Sequence, residues 1–137
     1  MTRRNGRILI VEDSEDFRTM VGRLYEAEGY AVEVATDGAD ALKKLHARPD
    51  LPALILVDIM MPVMDGFGFC KEVSRDPTLA NIPILVMSAD SRVEEKAKAT
   101  AAQGCIAKPV DLDTLIAVAE KYAVTGESRS SDDNDLQ

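Results

Sequence analysis

The chain has 137 residues, 46% hydrophobic and 29% charged, which fits one soluble globular domain and excludes the disordered and collagen-like classes. Its formal net charge of −8 and pI of about 4.6 oppose direct binding to nucleic acid or to a membrane surface. Cys70 and Cys105 make no disulfide framework and the first residues make no signal peptide, so a cytoplasmic protein is expected.

Short apolar runs alternate along the chain with segments of helical periodicity. The predicted strands are residues 8–11, 31–35, 54–57, 84–87 and 105–107. The predicted helices begin near Ser14, Asp37, Phe67, Ser91 and Asp111, and Gly29, Pro49 and Pro77 end the first three. This alternation predicts an α/β fold, a doubly wound five-stranded parallel sheet with helices on both faces. The functional crevice of such a sheet lies at the carboxyl ends of its strands.

The ends of the chain differ from this central pattern. Residues 1–6 are interpreted as an N-terminal extension, residues 7–123 as the folded domain and residues 124–137 as an acidic tail. The tail carries four acidic side chains against one basic side chain, which predicts disorder. Within the domain, the helix predicted over residues 91–103 has one bulky aliphatic residue, Val93, so weak anchoring is expected.

Polar side chains occupy the carboxyl ends of four predicted strands. Glu12 and Asp13 follow the first strand, Asp58 the third, Ser88 the fourth and Lys108 the fifth. Three converging carboxylates repel one another unless a cation neutralises them, and ligands made only of oxygen favour Mg²⁺. With the metal present, Asp58 could attack a phosphoryl group in line. Ser88 would donate a hydrogen bond to the phosphate, and Lys108 would add a positive charge.

Each of these residues also has an ordinary structural interpretation. Glu12 and Asp13 could cap the helix that follows them, and Ser88 could cap the next one. Lys108 could form an ion pair on the surface. The agreement of four strand ends favours the functional interpretation over these separate ones.

In their order and spacing, four segments resemble the receiver domain of bacterial two-component response regulators. The matching segments are residues 10–14, residues 56–62 with 64–66, residues 86–89 and residues 104–109. The resemblance covers about residues 7–122 and implies a flavodoxin-like fold with strand order 2-1-3-4-5.

Carried over residue by residue, the resemblance implies that Asp58 is the phosphoacceptor. Mg²⁺ would be held by Glu12, Asp13 and Asp58 together with the backbone carbonyl of Met60. The residues implied to bind phosphate are Ser88, Ala89 and Lys108. In the family the bond between this Lys and the following Pro is commonly cis, and Pro109 fits that pattern.

The chain departs from the family at Cys105, one of two switch positions with Ser88. The family usually has Tyr or Phe there, and the ring moves inward when the hydroxyl at the Ser88 position turns to the phosphate. A thiol is too small for this, so the signal would travel through backbone shifts of residues 88–89 and 90–104, or through another side chain. Cys105 itself is expected to be a small apolar thiol, with a redox role as the alternative.

The resemblance implies a stand-alone phosphorylation switch of a phosphorelay that is not an enzyme but assists its own phosphotransfer and dephosphorylation. The donor would be a phosphohistidine of a sensor histidine kinase or a histidine phosphotransfer protein, and an unidentified downstream protein would receive the signal. The sequence does not decide whether phosphorylation drives the formation of a dimer. The alternative is a phosphorylation-independent docking module, which Cys105 favours and the complete acidic set opposes. Flavin-binding proteins and haloacid-dehalogenase-type phosphatases fit poorly, since Glu12 and Asp13 repel phosphate and Met60 replaces a second Asp.

Overall fold

A computed structural model describes residues 4–59, 65–89 and 102–125. Its strands are β1 (Arg4–Asn5), β2 (Arg7–Val11), β3 (Ala31–Ala35), β4 (Leu54–Asp58), β5 (Ile84–Ser88), β6 (Gly104–Ala107) and β7 (Val124–Thr125). Its helices are α1 (Glu15–Ala27), α2 (Gly38–His46), α3 (Gly66–Arg75) and α4 (Leu112–Tyr122). Strands β2 to β6 and helices α1 to α4 follow the predicted alternation. Residues 91–101 of the remaining predicted helix lie outside the described residues, and the prediction of helix at residues 102 and 103 is wrong.

Five strands, β2 to β6, form one parallel sheet in the order β3-β2-β4-β5-β6. Numbered within this sheet alone, the order is the predicted 2-1-3-4-5. The apolar runs of β2, β4 and β5 lie at its centre and are buried on both faces, as central strands of a parallel sheet require. The parallel register sets Val11 beside Val57 and Asp58 beside Met87, so β2, β4 and β5 end at one common edge.

Two apolar clusters hold the helices against the sheet, one on each face. Helices α2 and α3 pack on one face, and α1 and α4 pack on the other. Along β2, Leu9 and Val11 belong to the first cluster while Ile8 and Ile10 belong to the second, because successive side chains of a strand point to opposite faces. Across the three described ranges, none of the helices combines the length and the apolar character that a membrane crossing demands.

The helix boundaries follow local sequence signals. Ser14, Asp37 and Asp111 cap α1, α2 and α4 as predicted, each accepting a hydrogen bond from the backbone N–H three residues later. Gly29 has a φ of 95° in the turn after α1, a conformation that favours Gly. The chain therefore turns back into β3 at the position where the sequence predicts the stop.

The two ends of the described chain form an antiparallel ribbon, β1 with β7, that is absent from the predicted elements. Arg4 stands opposite Thr125, and the N–H of Gly6 donates to the carbonyl of Ala123 at 2.6 Å. The expectation of a disordered tail from residue 124 onward is therefore wrong at Val124 and Thr125. Each segment supplies the backbone hydrogen bonds that the other lacks on its own. The predicted tail beyond Thr125 lies outside the described residues.

Candidate functional site

The carboxyl edge of the sheet gathers three of the predicted acidic residues. Glu12 and Asp13 follow β2, Asp58 ends β4, and one carboxylate oxygen from each lies within 4.8 Å of the others. Glu12 and Asp58 are buried and Asp13 is exposed. We call these three residues the acidic pocket. The group therefore offers oxygen ligands from two buried acids and from one acid that is accessible to solvent.

Lys108 lies directly after β6 and places its ammonium in the acidic pocket. Its Nζ donates to Oε1 of Glu12 at 3.2 Å and lies 3.2 Å from Oδ1 of Asp58. Its backbone N–H donates to the carbonyl of Ser88 at 2.9 Å, which ties the residue to the end of β5. Because both carboxylate partners are nearly inaccessible, this is not an ordinary surface ion pair. The Lys108–Pro109 peptide bond is cis, as the resemblance implies.

The enclosed charges change how the pocket ionises. Burial, reinforced by the carboxylate of Asp58, raises the pKa of Glu12 to about 7. Burial alone would lower the pKa of Lys108, but the carboxylates of Asp58 and Glu12 outweigh it, so this pKa lies above its ordinary value. The single positive charge of Lys108 therefore does not fully offset the negative charge of the carboxylates, and a divalent cation would relieve the remaining repulsion between them.

The first turn of α1 holds Glu12 in place. The N–H of Ser14 donates to Oε2 of Glu12 at 3.2 Å, and Nη1 of Arg18 donates to the Glu12 carbonyl at 2.7 Å. Ser14 is also the N-cap of α1, its hydroxyl accepting the N–H of Phe17 at 3.2 Å. The alternative in which Glu12 or Asp13 caps this helix is therefore wrong. The hydrogen bond of Arg18 was not predicted from the sequence. Its only sequence signal is the position of Arg18 one helical turn after Ser14.

Gly66 allows α3 to begin against the end of β4. A Cβ at this position would lie 2.8 Å from the carbonyl oxygen of Asp58 and 2.9 Å from Cα of Ile59, which is closer than real Cβ atoms approach. The N–H of Gly66 donates to the carbonyl of Ile59 at 3.1 Å. Any larger residue would therefore press on the strand end that carries Asp58.

The remaining predicted residues occupy different places. Ser88 is buried at the end of β5, opposite Ala107 in the register, and Ala89 after it is exposed. Cys105 lies inside β6 rather than at its end, is half-buried and packs against an apolar cluster. It also lines a groove of about 430 Å³ between β6 and α4. Met60 lies outside the described residues.

Comparison with known proteins decides the family. Residues 8–120 match the response regulator receiver domain family. The chain belongs to this family. Response regulator PleD of Caulobacter vibrioides is 38% identical over 109 residues, which make up 78% of this chain and 24% of that protein. The DNA-binding dual master transcriptional regulator RpaA of Synechocystis sp. is 34% identical over 115 residues, 81% of this chain and 46% of that protein. This receiver domain thus spans about a quarter to a half of these curated relatives.

Solved structures agree with the family and confirm the predicted fold. Chemotaxis protein CheY4 of Vibrio cholerae is 32% identical with a TM-score of 0.79, covering 87% of this chain and 99% of that chain. The signal receiver domain of a signal transduction histidine kinase from Syntrophus aciditrophicus is 30% identical with a TM-score of 0.77, covering 85% of this chain and 88% of that chain. Receiver domains act in two-component signalling, bind Mg²⁺ in an acidic pocket and interact with sensor kinases or phosphotransfer proteins.

Proposed function

We propose that this receiver domain accepts a phosphoryl group on Asp58 from a phosphohistidine of a sensor histidine kinase or a histidine phosphotransfer protein. The position of Asp58 carries the proposal. Its buried carboxylate ends a central strand, lies 3.2 Å from the ammonium of Lys108 and is grouped with Glu12 and Asp13. A carboxylate held in this way has a cationic partner and a possible metal site beside it, which are the requirements for attack on a phosphoryl group.

The proposed transfer is an in-line displacement. A carboxylate oxygen of Asp58 forms a bond to phosphorus while the bond from phosphorus to the donor nitrogen breaks, and the imidazole leaves with that electron pair and is protonated. The product is an acyl phosphate on Asp58. The Lys108 ammonium offsets negative charge on the phosphoryl oxygens, and Ser88 and the backbone of Ala89 bind the same oxygens.

Mg²⁺ fits the acidic pocket by the chemistry of its ligands. Glu12, Asp13 and Asp58 offer only oxygen, in a group small enough for one ion and open on the side of Asp13. They would hold the ion together with the carbonyl of Met60, which stays a prediction. When bound, Mg²⁺ supplies positive charge that offsets the repulsion between the attacking carboxylate and the phosphoryl oxygens.

Output is proposed to occur through contacts with another protein. The net charge of −8 disfavours a direct complex with nucleic acid. Phosphate bound at Ser88 would act on β6 through the hydrogen bond from Lys108 N–H to the Ser88 carbonyl. Since Cys105 on that strand has no ring to rotate, this backbone link supports transmission through the main chain.

The test is intact-mass analysis of the chain after incubation with Mg²⁺ and acetyl phosphate. We expect one added phosphoryl group, absent after chelation of the metal and absent in Asp58→Asn. Asp76→Asn, which changes a surface carboxylate beside His46, is the matched control and should be modified like the wild type. A folded protein that binds Mg²⁺ but never gains the phosphoryl group would contradict the proposal and favour the docking module.

A further inference from the structure

Within the described ranges, the ammonium of Lys108 has an aromatic neighbour besides the carboxylates of Glu12 and Asp58. The centroid of the Phe17 ring lies 5.0 Å from Nζ, within the range of a cation–π contact. Phe17 is half-buried and packs against the apolar cluster that α1 and α4 share. The ammonium is therefore bounded by Glu12 and Asp58 and by the ring of Phe17.

The ring is held by the same turn that holds Glu12. Ser14 caps α1 by accepting the N–H of Phe17, and its own N–H donates to Oε2 of Glu12. A capped first turn fixes the backbone of Phe17 relative to the end of β2. One local structure thus positions both a carboxylate of the acidic pocket and the aromatic ring beside Lys108.

We propose that Phe17 is a positioning residue that keeps the Lys108 ammonium next to the phosphoacceptor. This inference rests on the proposed function of Asp58. A divalent cation bound by Glu12 and Asp58 would weaken their attraction for the ammonium and would also repel it. The quadrupole of the ring does not change when the cation binds, so the attraction of Phe17 for the ammonium persists. The ammonium so retained stays where the phosphoryl oxygens arrive.

The test separates the ring from its apolar bulk. Phe17→Leu keeps a large apolar side chain and removes the ring, whereas Phe17→Tyr keeps the ring. With acetyl phosphate and saturating Mg²⁺, we expect the rate of phosphorylation to fall roughly two- to fivefold in Phe17→Leu and to stay near the wild-type rate in Phe17→Tyr. The Mg²⁺ concentration for half the maximal rate should not rise, because the ring acts on the ammonium and not on the metal ligands.

Tyr122→Leu is the matched control. It removes a similar contact, in which Nζ of Lys121 lies 5.2 Å from a ring centroid in the last turn of α4, and the rate should not change. The positioning role would be overturned by an unchanged rate in Phe17→Leu, or by an equal loss of rate in Phe17→Tyr or Tyr122→Leu. It would also be overturned if the loss in Phe17→Leu came with weaker Mg²⁺ binding. A wild-type chain that takes no phosphoryl group would instead overturn the proposed function, so the two failures are distinct.

Discussion

The buried carboxyl of Glu12 makes the stability of the metal-free protein depend on pH between 5 and 8. Burial and the neighbouring Asp58 raise the pKa of Glu12 from an ordinary value of 4.5 to about 7. An acid whose pKa is higher in the folded state binds its proton more tightly there than in the unfolded chain. Its contribution to stability is therefore complete below pH 4.5 and is lost as the pH rises through 7.

The size of this loss follows from the two pKa values. At 1.36 kcal/mol per pKa unit, the interval from 4.5 to about 7 corresponds to roughly 3 kcal/mol over the whole pH range. Between pH 5 and pH 8 the same two pKa values give a loss of roughly 2–3 kcal/mol in the free energy of unfolding. A loss of this size is a large fraction of the stability of a small domain.

The assay is urea unfolding at several pH values in the presence of a metal chelator, with Glu12→Gln as the test variant. The amide cannot ionise, so the variant should lack this pH dependence and should gain roughly 2–3 kcal/mol relative to the wild type between pH 5 and pH 8. Glu72→Gln, which changes an exposed carboxylate of α3, should run parallel to the wild type. Saturating Mg²⁺ should reduce the loss in the wild type, because bound metal favours the carboxylate. Parallel curves for wild type and Glu12→Gln would show that Glu12 is not the source of the pH dependence.

Three further predictions concern packing and reactivity. Gly66→Ala should lower the free energy of unfolding, measured in urea, by about 1–3 kcal/mol, because the added Cβ meets backbone atoms. Gly22→Ala in α1 makes only an ordinary contact and should be neutral or stabilising. Tyr25→Phe removes a buried hydroxyl that donates to an α4 carbonyl at 2.9 Å and should cost about 1–2 kcal/mol in the same assay; an unchanged midpoint would contradict this. Burial raises the pKa of Cys70 to about 12, and a nearby carboxylate contributes to this rise. Iodoacetamide at pH 8 should therefore alkylate Cys105 in the native protein and Cys70 only after unfolding, as peptide mass analysis would show.

The members of the acidic pocket were predictable because their signals are local. A buried parallel strand appears as an apolar run, and the first polar residue after it lies at the carboxyl edge of the sheet. Once β2 and β4 are neighbours, the end of β2 with Glu12 and the end of β4 with Asp58 must lie side by side. The same logic placed Lys108 after β6.

The supporting contacts were not predictable in this way. The contacts of Phe17 with Lys108 and of Arg18 with the Glu12 carbonyl depend on how α1 is rotated about its axis against the sheet. The helical period of the apolar residues in α1 does not specify that rotation to within one side chain. The ribbon of β1 and β7 has two residues in each strand, which is too short for any periodic signal. Both features are set by tertiary packing between distant parts of the chain.

The ribbon of β1 and β7 also places the two ends of the fold beside each other at the pole opposite the acidic pocket. Since Arg4 and Thr125 face each other across an antiparallel pair, about 5 Å separates their Cα atoms. The five residues of β2 put the pocket roughly 16 Å further along the sheet. A short linker could therefore join Arg4 to Thr125 in a circular permutant opened at another surface loop, with the acidic pocket intact. For the same reason, a label or partner domain attached at Arg4 or Thr125 would begin at the edge of the sheet remote from the acidic pocket.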